Sequence, residues 1–388
     1  MQGAGTYPRS EISIGVQYYS NLGESKGEPA CIPLDALRRH VCILGTTGAG
    51  KSTCAAVLCY ELAKAGIPTL ILDRTGEYVD PLGRAVNALI MTPGENLVAA
   101  LFQPTGDRHI STQIEEWVSL LDHFSHVSYY AGLSPLQARV LREVFHEHFR
   151  GSRDVLTVSR LISKLERYEK RVERLGGWVE SIEAIISRLY PLTVDVVGAT
   201  LDRPYQTFDV EALFQPRTTI VDLSVLPDDR ARNLLSQVIL KRLYEYVRRR
   251  GRTGSLRLVC LIDEAQHLAP SREGYISIPE LCAIELRKYG FCLVMCATRP
   301  SLLSPNVIAN CNTLISLMLN NEWDIERVAG FFINGASKRQ LLRRLPVGFA
   351  LVQVNHPSPR EPVLCRVGLE EHVNALGLRP PASPSATS

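Results

Sequence analysis

The chain has 388 residues, 45% of them hydrophobic, enough for one α/β domain with insertions or for two to three domains. Its 43 basic and 40 acidic residues leave a net charge of +3, which neither demands nor rules out a polyanion partner and confines any nucleic-acid surface to a local patch. Ten cysteines without a C-x-x-C, of which Cys42, Cys54, Cys59, Cys260, Cys292, Cys296 and Cys311 lie in or beside apolar segments, argue against a disulfide framework and for free thiols in a reducing, cytoplasmic compartment.

Residues 12–16 and 30–33 read as short strands around a Gly/Glu/Ser/Lys-rich turn, and residues 1–39 as a short β extension. An apolar strand at 41–44 follows. Next come Gly45, Thr46, Thr47, Gly48, Ala49, Gly50, Lys51, Ser52 and Thr53, which fit G-x-x-x-x-G-K-[ST] at every fixed position. The apolar stretch 54–62 predicts a helix that stops near Gly66 and Pro68. In the order strand, loop, helix, each residue type has a task. The glycines let consecutive N–H groups curl toward one anion, and the helix N-terminus adds partial positive charge. Lys51 would reach the β- and γ-phosphates of ATP, and the Ser52 hydroxyl would bind Mg²⁺.

A second strand at 69–73 completes the first half of a core spanning 40–95. Residues 96–200 read as a four-helix insertion. Its helices cover 114–127, then Ser134-Pro135 to Arg150, then a run from Thr157 with Leu161, Leu165, Tyr168, Val172 and Leu175 at helical spacing, then a helix from Gly177 to Pro191. The core resumes at 201–367, with strands at 218–223, 256–262, 291–297, 313–319, 349–354 and 362–367. Helices are predicted at 228–250 and 279–289, with a short helical pair before the last two strands. A C-terminal helix and a disordered tail from Gly377 close the chain. No signal peptide and no membrane-spanning run is visible. Strands alternating with helices predict α/β architecture of the RecA/ASCE P-loop type, with a mostly parallel sheet covered by helices on both faces.

The strand at 256–262 ends in Asp263-Glu264. A buried parallel strand delivers its C-terminal residues to the ligand edge of the sheet. Asp263 would hold Mg²⁺ through water, opposite Ser52, and Glu264 is the candidate general base or water-orienting group. Thr298 and Arg299 fall on the same edge. Arg287 enters from the opposite edge, out of reach of its own subunit's ATP. It either reaches a neighbour's nucleotide or compensates a helix C-terminus. The densest basic run, Arg248, Arg249, Arg250 and Arg252, has two readings of equal weight, phosphate contacts to DNA or a solvated helix end. The same holds for Lys338, Arg339, Arg343 and Arg344. With no base-reading module in the sequence, DNA binding would be sequence-tolerant.

Together these segments resemble the HerA/FtsK group of hexameric DNA-pumping ATPases, and the HerA branch most closely. The resemblance is carried by 40–52 (His40 through Ser52), Asp73-Arg74-Thr75-Gly76-Glu77-Tyr78, Ile262-Asp263-Glu264-Ala265-Gln266, Glu285-Leu286-Arg287-Lys288-Tyr289-Gly290, Arg299-Pro300-Ser301 and Leu345-Pro346-Val347-Gly348-Phe349-Ala350. It implies a homo-oligomeric ring, usually a hexamer, with Mg·ATP at subunit interfaces, double-stranded DNA in the pore and often a nuclease partner. It puts Arg287 on the family's trans-acting arginine finger, and Asp73 and Glu77 on its acidic motif after the second strand, which assigns them to the nucleotide site. Three departures stand out: Thr298 where the family usually has glutamine, Arg74-Thr75 in place of proline-histidine, and 39 residues before the P-loop strand where HerA proteins carry a barrel of about a hundred. Two other readings use the same motifs: a conjugation- or secretion-type motor, and an ATP-dependent assembly scaffold for a partner nuclease. No nuclease metal cluster is recognisable in the sequence, so cleavage would come from the partner.

Overall fold

Runs of three to nine residues pair into one eleven-stranded sheet in the computed structural model, which describes residues 10–19, 24–104, 108–129, 131–172 and 178–377. The strands are β1 (Glu11–Tyr18), β2 (Ser25–Pro33), β3 (Val41–Leu44), β4 (Thr69–Asp73), β5 (Leu89–Met91), β6 (Thr218–Asp222), β7 (Leu258–Ile262), β8 (Phe291–Ala297), β9 (Thr313–Ser316), β10 (Phe349–Val354) and β11 (Val363–Val367). Their order is β2-β1-β11-β10-β9-β3-β8-β7-β4-β6-β5. The segment from β9 to β6 is parallel, and β2, β1, β11 and β10 extend it antiparallel. Every residue of β3, β4, β7, β8 and β10 is buried, as expected of strands covered on both faces. Alternate residues such as Val41, Ile43, Val259, Leu261, Val294 and Ile315 share one core cluster with Cys54, Val57, Leu58 and Leu62 of the helix Lys51–Lys64.

The chain divides into two compact units, one of residues 1–90, 210–222 and 244–388 and one of residues 91–209 and 223–243. The second holds the four expected helices, Ile110–Tyr129, Pro135–Phe149, Val158–Val172 and Trp178–Leu189. Ser134 and Gln137 close a capping box on the second helix, and Phe102, Trp117, Phe145 and Phe149 form its aromatic core at centroid separations of 5.0–6.0 Å. A fifth helix, Asp195–Leu201, was not anticipated, because seven residues are too few to display a helical period. Leu175 and the tail beyond Gly377 lie outside the described residues. Among the described residues no single helix is long and apolar enough to cross a membrane.

The helix Glu370–Leu376 is tied to the helix Lys51–Lys64 by one polar cluster. His372 accepts the Leu369 N–H through Nδ1 at 2.9 Å, so its Nε2–H donates to Glu61 at 3.2 Å. The Lys64 ammonium bridges Glu61 at 2.9 Å and Glu371 at 3.1 Å. The ring nitrogen facing the carboxylates is therefore a donor, and an ammonium already supplies the charge that a metal would bring there.

All ten cysteines are free, nine of them buried. Burial pushes the thiols of Cys54, Cys59, Cys260, Cys292, Cys296 and Cys311 well above their ordinary value, and that of Cys365 to about 12. Half-buried Cys31 is pushed to about 11, by burial and then by the Glu11 charge. Because the thiolate is the nucleophile, the native protein at pH 8 is expected to yield at most one thiol to a disulfide reagent within minutes, and all ten in denaturant. Three or more fast thiols would show that the core is open.

Candidate nucleotide site

The phosphate loop is held from both sides. Gly45 donates to Ala297 at the end of β8 at 3.3 Å, and Thr46 donates to Met318 just past β9 at 2.8 Å. Inside the loop Ala49 donates to Thr46, and from outside Gly348 donates to Ala49, both at 3.2 Å. Gly50 caps the helix Lys51–Lys64 at φ 100°, a left-handed conformation that a side chain rarely adopts, and no side chain caps the helix N-terminus. Thr47 and Gly48 are exposed at the tip, while Ser52 and Thr53 are half-buried on the first helical turn. Lys51 is buried and folds back so that its Nζ donates to the Thr46 carbonyl at 3.2 Å. The donors left at this helix end form a cradle for an anion.

The carboxylates arrive on strands next in order. β7 is separated from β3 only by β8, so its end lies roughly 10 Å from the P-loop strand across the sheet. Asp263 is buried, and its Oδ2 accepts from the Thr75 hydroxyl at 3.0 Å. Burial, with the charges of Asp73 and Glu264, pushes its carboxyl up to about 7. A buried oxygen ligand so short of positive charge suits a hard divalent cation. Glu264 takes a left-handed conformation at φ 47°, ψ 49°. One of its oxygens accepts from the Thr298 hydroxyl and the other from the Gln266 amide.

Asp73, at the end of β4, spends its carboxylate on the turn that follows. Its Oδ1 accepts the backbone N–H groups of Thr75 (3.2 Å) and Gly76 (2.8 Å), and its Oδ2 that of Tyr78 (2.8 Å). It organises the turn that brings Thr75 to Asp263. Glu77 is exposed on that turn, where its charge adds to the upward push on Asp263. Arg299 pairs with buried Asp324 at 3.3 Å, which draws it toward the helix Glu322–Ala329. Thr75 and Gln266 were missed as site residues. Both lie inside the quoted motifs, but only the strand order shows which carboxylate each one serves.

Arg287 sits on the 3-10 turn Leu286–Tyr289, just before β8, and is exposed. The seven residues of β8 put roughly 20 Å between that edge of the sheet and the P-loop edge. The basic run at the end of the helix Asp229–Arg249 is divided. Arg248 stacks on Tyr244 and bonds its hydroxyl at 2.9 Å, Arg249 lies over Tyr246, and Arg250 lies over Phe214 and Tyr246. Gly251 then turns the chain at φ 79°, and Arg252 faces a separate cavity that Arg287 also lines.

A family profile described as "Helicase HerA, central domain" matches residues 18–243, more than half of the chain. The chain belongs to the HerA helicase family. That match takes in the phosphate loop and stops short of Asp263, Glu264 and Arg287. The DNA double-strand break repair helicase HerA of Sulfolobus acidocaldarius is 23% identical over 335 residues, which are 81% of this chain and 60% of that protein. Its namesake in Saccharolobus solfataricus is 23% identical over 307 residues, covering 74% and 55%. The chain thus spans somewhat over half the length of these curated relatives. Among solved structures, VirB4 of Thermoanaerobacter pseudethanolicus matches with a TM-score of 0.72 at 16% identity, covering 96% of this chain and all of the other. The plasmid coupling protein TrwB in complex with ADP and Mg²⁺ matches at 0.66 and 16%, covering 98% of each. These likenesses show the fold, a P-loop ATPase sheet of the RecA type.

Proposed function

We propose that this chain binds and hydrolyses Mg·ATP and, as a ring of copies, drives movement along double-stranded DNA. The observation that carries this reading is that the phosphate loop, Asp263 and Glu264 share one edge of the sheet while Arg287 stands exposed on the other. A site so divided is completed by a second copy. Lys51 and the loop N–H groups would bind the phosphates, and Ser52 and Asp263 would hold Mg²⁺. When bound, the ion neutralises charge on the phosphate oxygens. Glu264 would take the proton from the attacking water at a carboxylate oxygen, and Thr298 would hold that oxygen in place. Arg287 of the next copy would bring positive charge to the γ-phosphate. The names of the HerA relatives support DNA as the track, and the exposed run Arg248–Arg250 would supply sequence-tolerant phosphate contacts. A nuclease partner belongs to the same proposal.

The test is the ATPase rate with and without linear duplex DNA, on material whose mass in solution has been measured. The expected result is an oligomer whose rate rises several-fold with DNA and falls tenfold or more in Arg287→Ala. A rate indifferent to DNA and to partner protein would remove the motor reading.

A further inference from the structure

At the sheet edge opposite the phosphate loop, four short segments line a half-open cavity of about 540 Å³. Five cations line it: Arg38, Arg39, Arg252, Arg287 and Lys288. Among the described residues the one carboxylate there, Asp35, is already shared between Arg38 at 2.8 Å and His356 at 2.9 Å. Among the described residues Arg39, Arg252 and Arg287 form no ion pair. Several arginines elsewhere on the chain are paired, as in Arg108–Glu116, Arg142–Glu115 and Arg339–Glu326. Three unpaired guanidinium groups thus share one pocket.

The segments are fixed by backbone contacts. Thr253 donates to the Lys288 carbonyl at 3.1 Å and Arg257 to the Gly290 carbonyl at 2.7 Å. Gly290 lies at φ 78°, and a Cβ there would collide with the Ser255 carbonyl, so only glycine lets the two loops meet. Asn312 holds the Arg39 carbonyl at 2.8 Å, and His40 bonds the Ala283 carbonyl at 2.9 Å. The mutual repulsion of the cations is therefore built into the fold, where an anion relieves it.

The chemistry narrows the ligand. The cavity falls within the range of small-ligand pockets, roughly 300–1,000 Å³. Among the described residues no apolar side chain lines it, and its guanidinium and ammonium groups offer most to phosphate oxygens. Duplex DNA strings its charges along an axis, about one per 3.4 Å on each strand, and asks for a track of cations. Here they line one half-open pocket, whose size fits the adjacent phosphates of a di- or triphosphate.

We propose that this cavity is a second phosphate-chain site, in which Arg39, Arg252 and Lys288 act together with Arg287. Its ligand is either a free phosphate chain or that of the nucleotide in a second copy's loop. Only the latter source rests on the ring reading above.

Lys51→Ala removes the phosphate loop's cation and leaves it only backbone donors, so titration calorimetry of that variant with inorganic tripolyphosphate at low salt reads mainly the cavity. One saturable event per chain is expected. Adding Arg39→Ala and Arg252→Ala should weaken it at least tenfold, with lysine at both positions intermediate and Arg84→Ala, a distant exposed control, without effect. No uptake by Lys51→Ala, or equal affinity after loss of both arginines with the fold intact by circular dichroism, would overturn the proposal. Mixing Lys51→Ala with the Arg39→Ala/Arg252→Ala variant separates the sources. ATPase activity at least threefold above the sum of the two alone identifies a second copy's nucleotide, because each variant supplies the half that the other lacks. No gain, with tripolyphosphate uptake retained, identifies a free phosphate chain. If the wild type is monomeric, the ring reading fails and the titration still decides the cavity.

Discussion

Glu264→Gln is expected to lower the steady-state ATPase rate a hundredfold or more while leaving ATP affinity within a few-fold. Loss of a positioned general base costs about 10²–10⁴ in rate, and the amide keeps the shape while removing the basic oxygen. The position is held by several constraints at once. A non-glycine residue at φ 47° is strained by roughly 1–3 kcal/mol, and the buried strand β7, the Thr298 hydroxyl and the Gln266 amide all fix it. The variant should also stay folded. Its new amide N–H would face the Gln266 N–H group, but Gln266 Oε1 is buried without a partner. Turning the Gln266 amide over presents that oxygen to the new donor and restores the hydrogen bond. Phosphate release, with nucleotide affinity measured separately by fluorescence, checks this. A rate within threefold of wild type would take the proton-accepting role away from Glu264.

What the sequence disclosed follows from how local each signal is. β4, β8 and β10 have the bounds that their apolar runs predict, because a strand buried on both faces is a nearly continuous apolar run. β5 escaped notice, as three half-buried residues carry no pattern. The helix predicted to reach Tyr289 ends at Glu285 and tightens into a 3-10 turn before Gly290. The phosphate loop and Asp263-Glu264 were legible because each is a contiguous motif at a strand end. The partners were not. Thr75 reaches Asp263 across 188 positions and Thr298 reaches Glu264 across 34, and both contacts depend on β4, β7 and β8 being neighbours. The basic run shows the converse. Consecutive in sequence, Arg248, Arg249 and Arg250 stack on aromatic rings, whereas Arg252, beyond the Gly251 turn, joins cations from two distant segments.

His40→Ala is expected to destabilise the protein by about 3–4 kcal/mol at pH 7, and His40→Asn by much less. His40 is buried immediately before β3. Its Nδ1 accepts the Leu293 N–H at 3.0 Å, which leaves Nε2–H to donate to Ala283 at 2.9 Å. Alanine would strip partners from two buried backbone groups, at about 1–3 kcal/mol each, and leave a cavity besides. Asparagine offers both a donor and an acceptor and tolerates the left-handed φ of 64°. The ring must also be neutral to accept at Nδ1. Burial, and then the nearby Arg287 charge, hold its pKa down at about 4 against an ordinary 6.5. The native state therefore binds fewer protons than the unfolded chain between those values. The contribution is intact above pH 6.5 and is lost as pH falls toward 4, by about 3 kcal/mol in all. His123, also held down to about 4, acts alike in wild type and variant and cancels in their comparison. Urea unfolding at pH 7 and pH 4.5 should show the stability gap between wild type and His40→Asn shifting by 2–3 kcal/mol in favour of the variant on acidification, an amount set by the cost of protonating this one ring. An unchanged gap would mean that His40 is charged in the native protein. That is incompatible with its acceptor bond to β8, and so with the tie that joins the strand leading into the phosphate loop to the segment carrying Arg287.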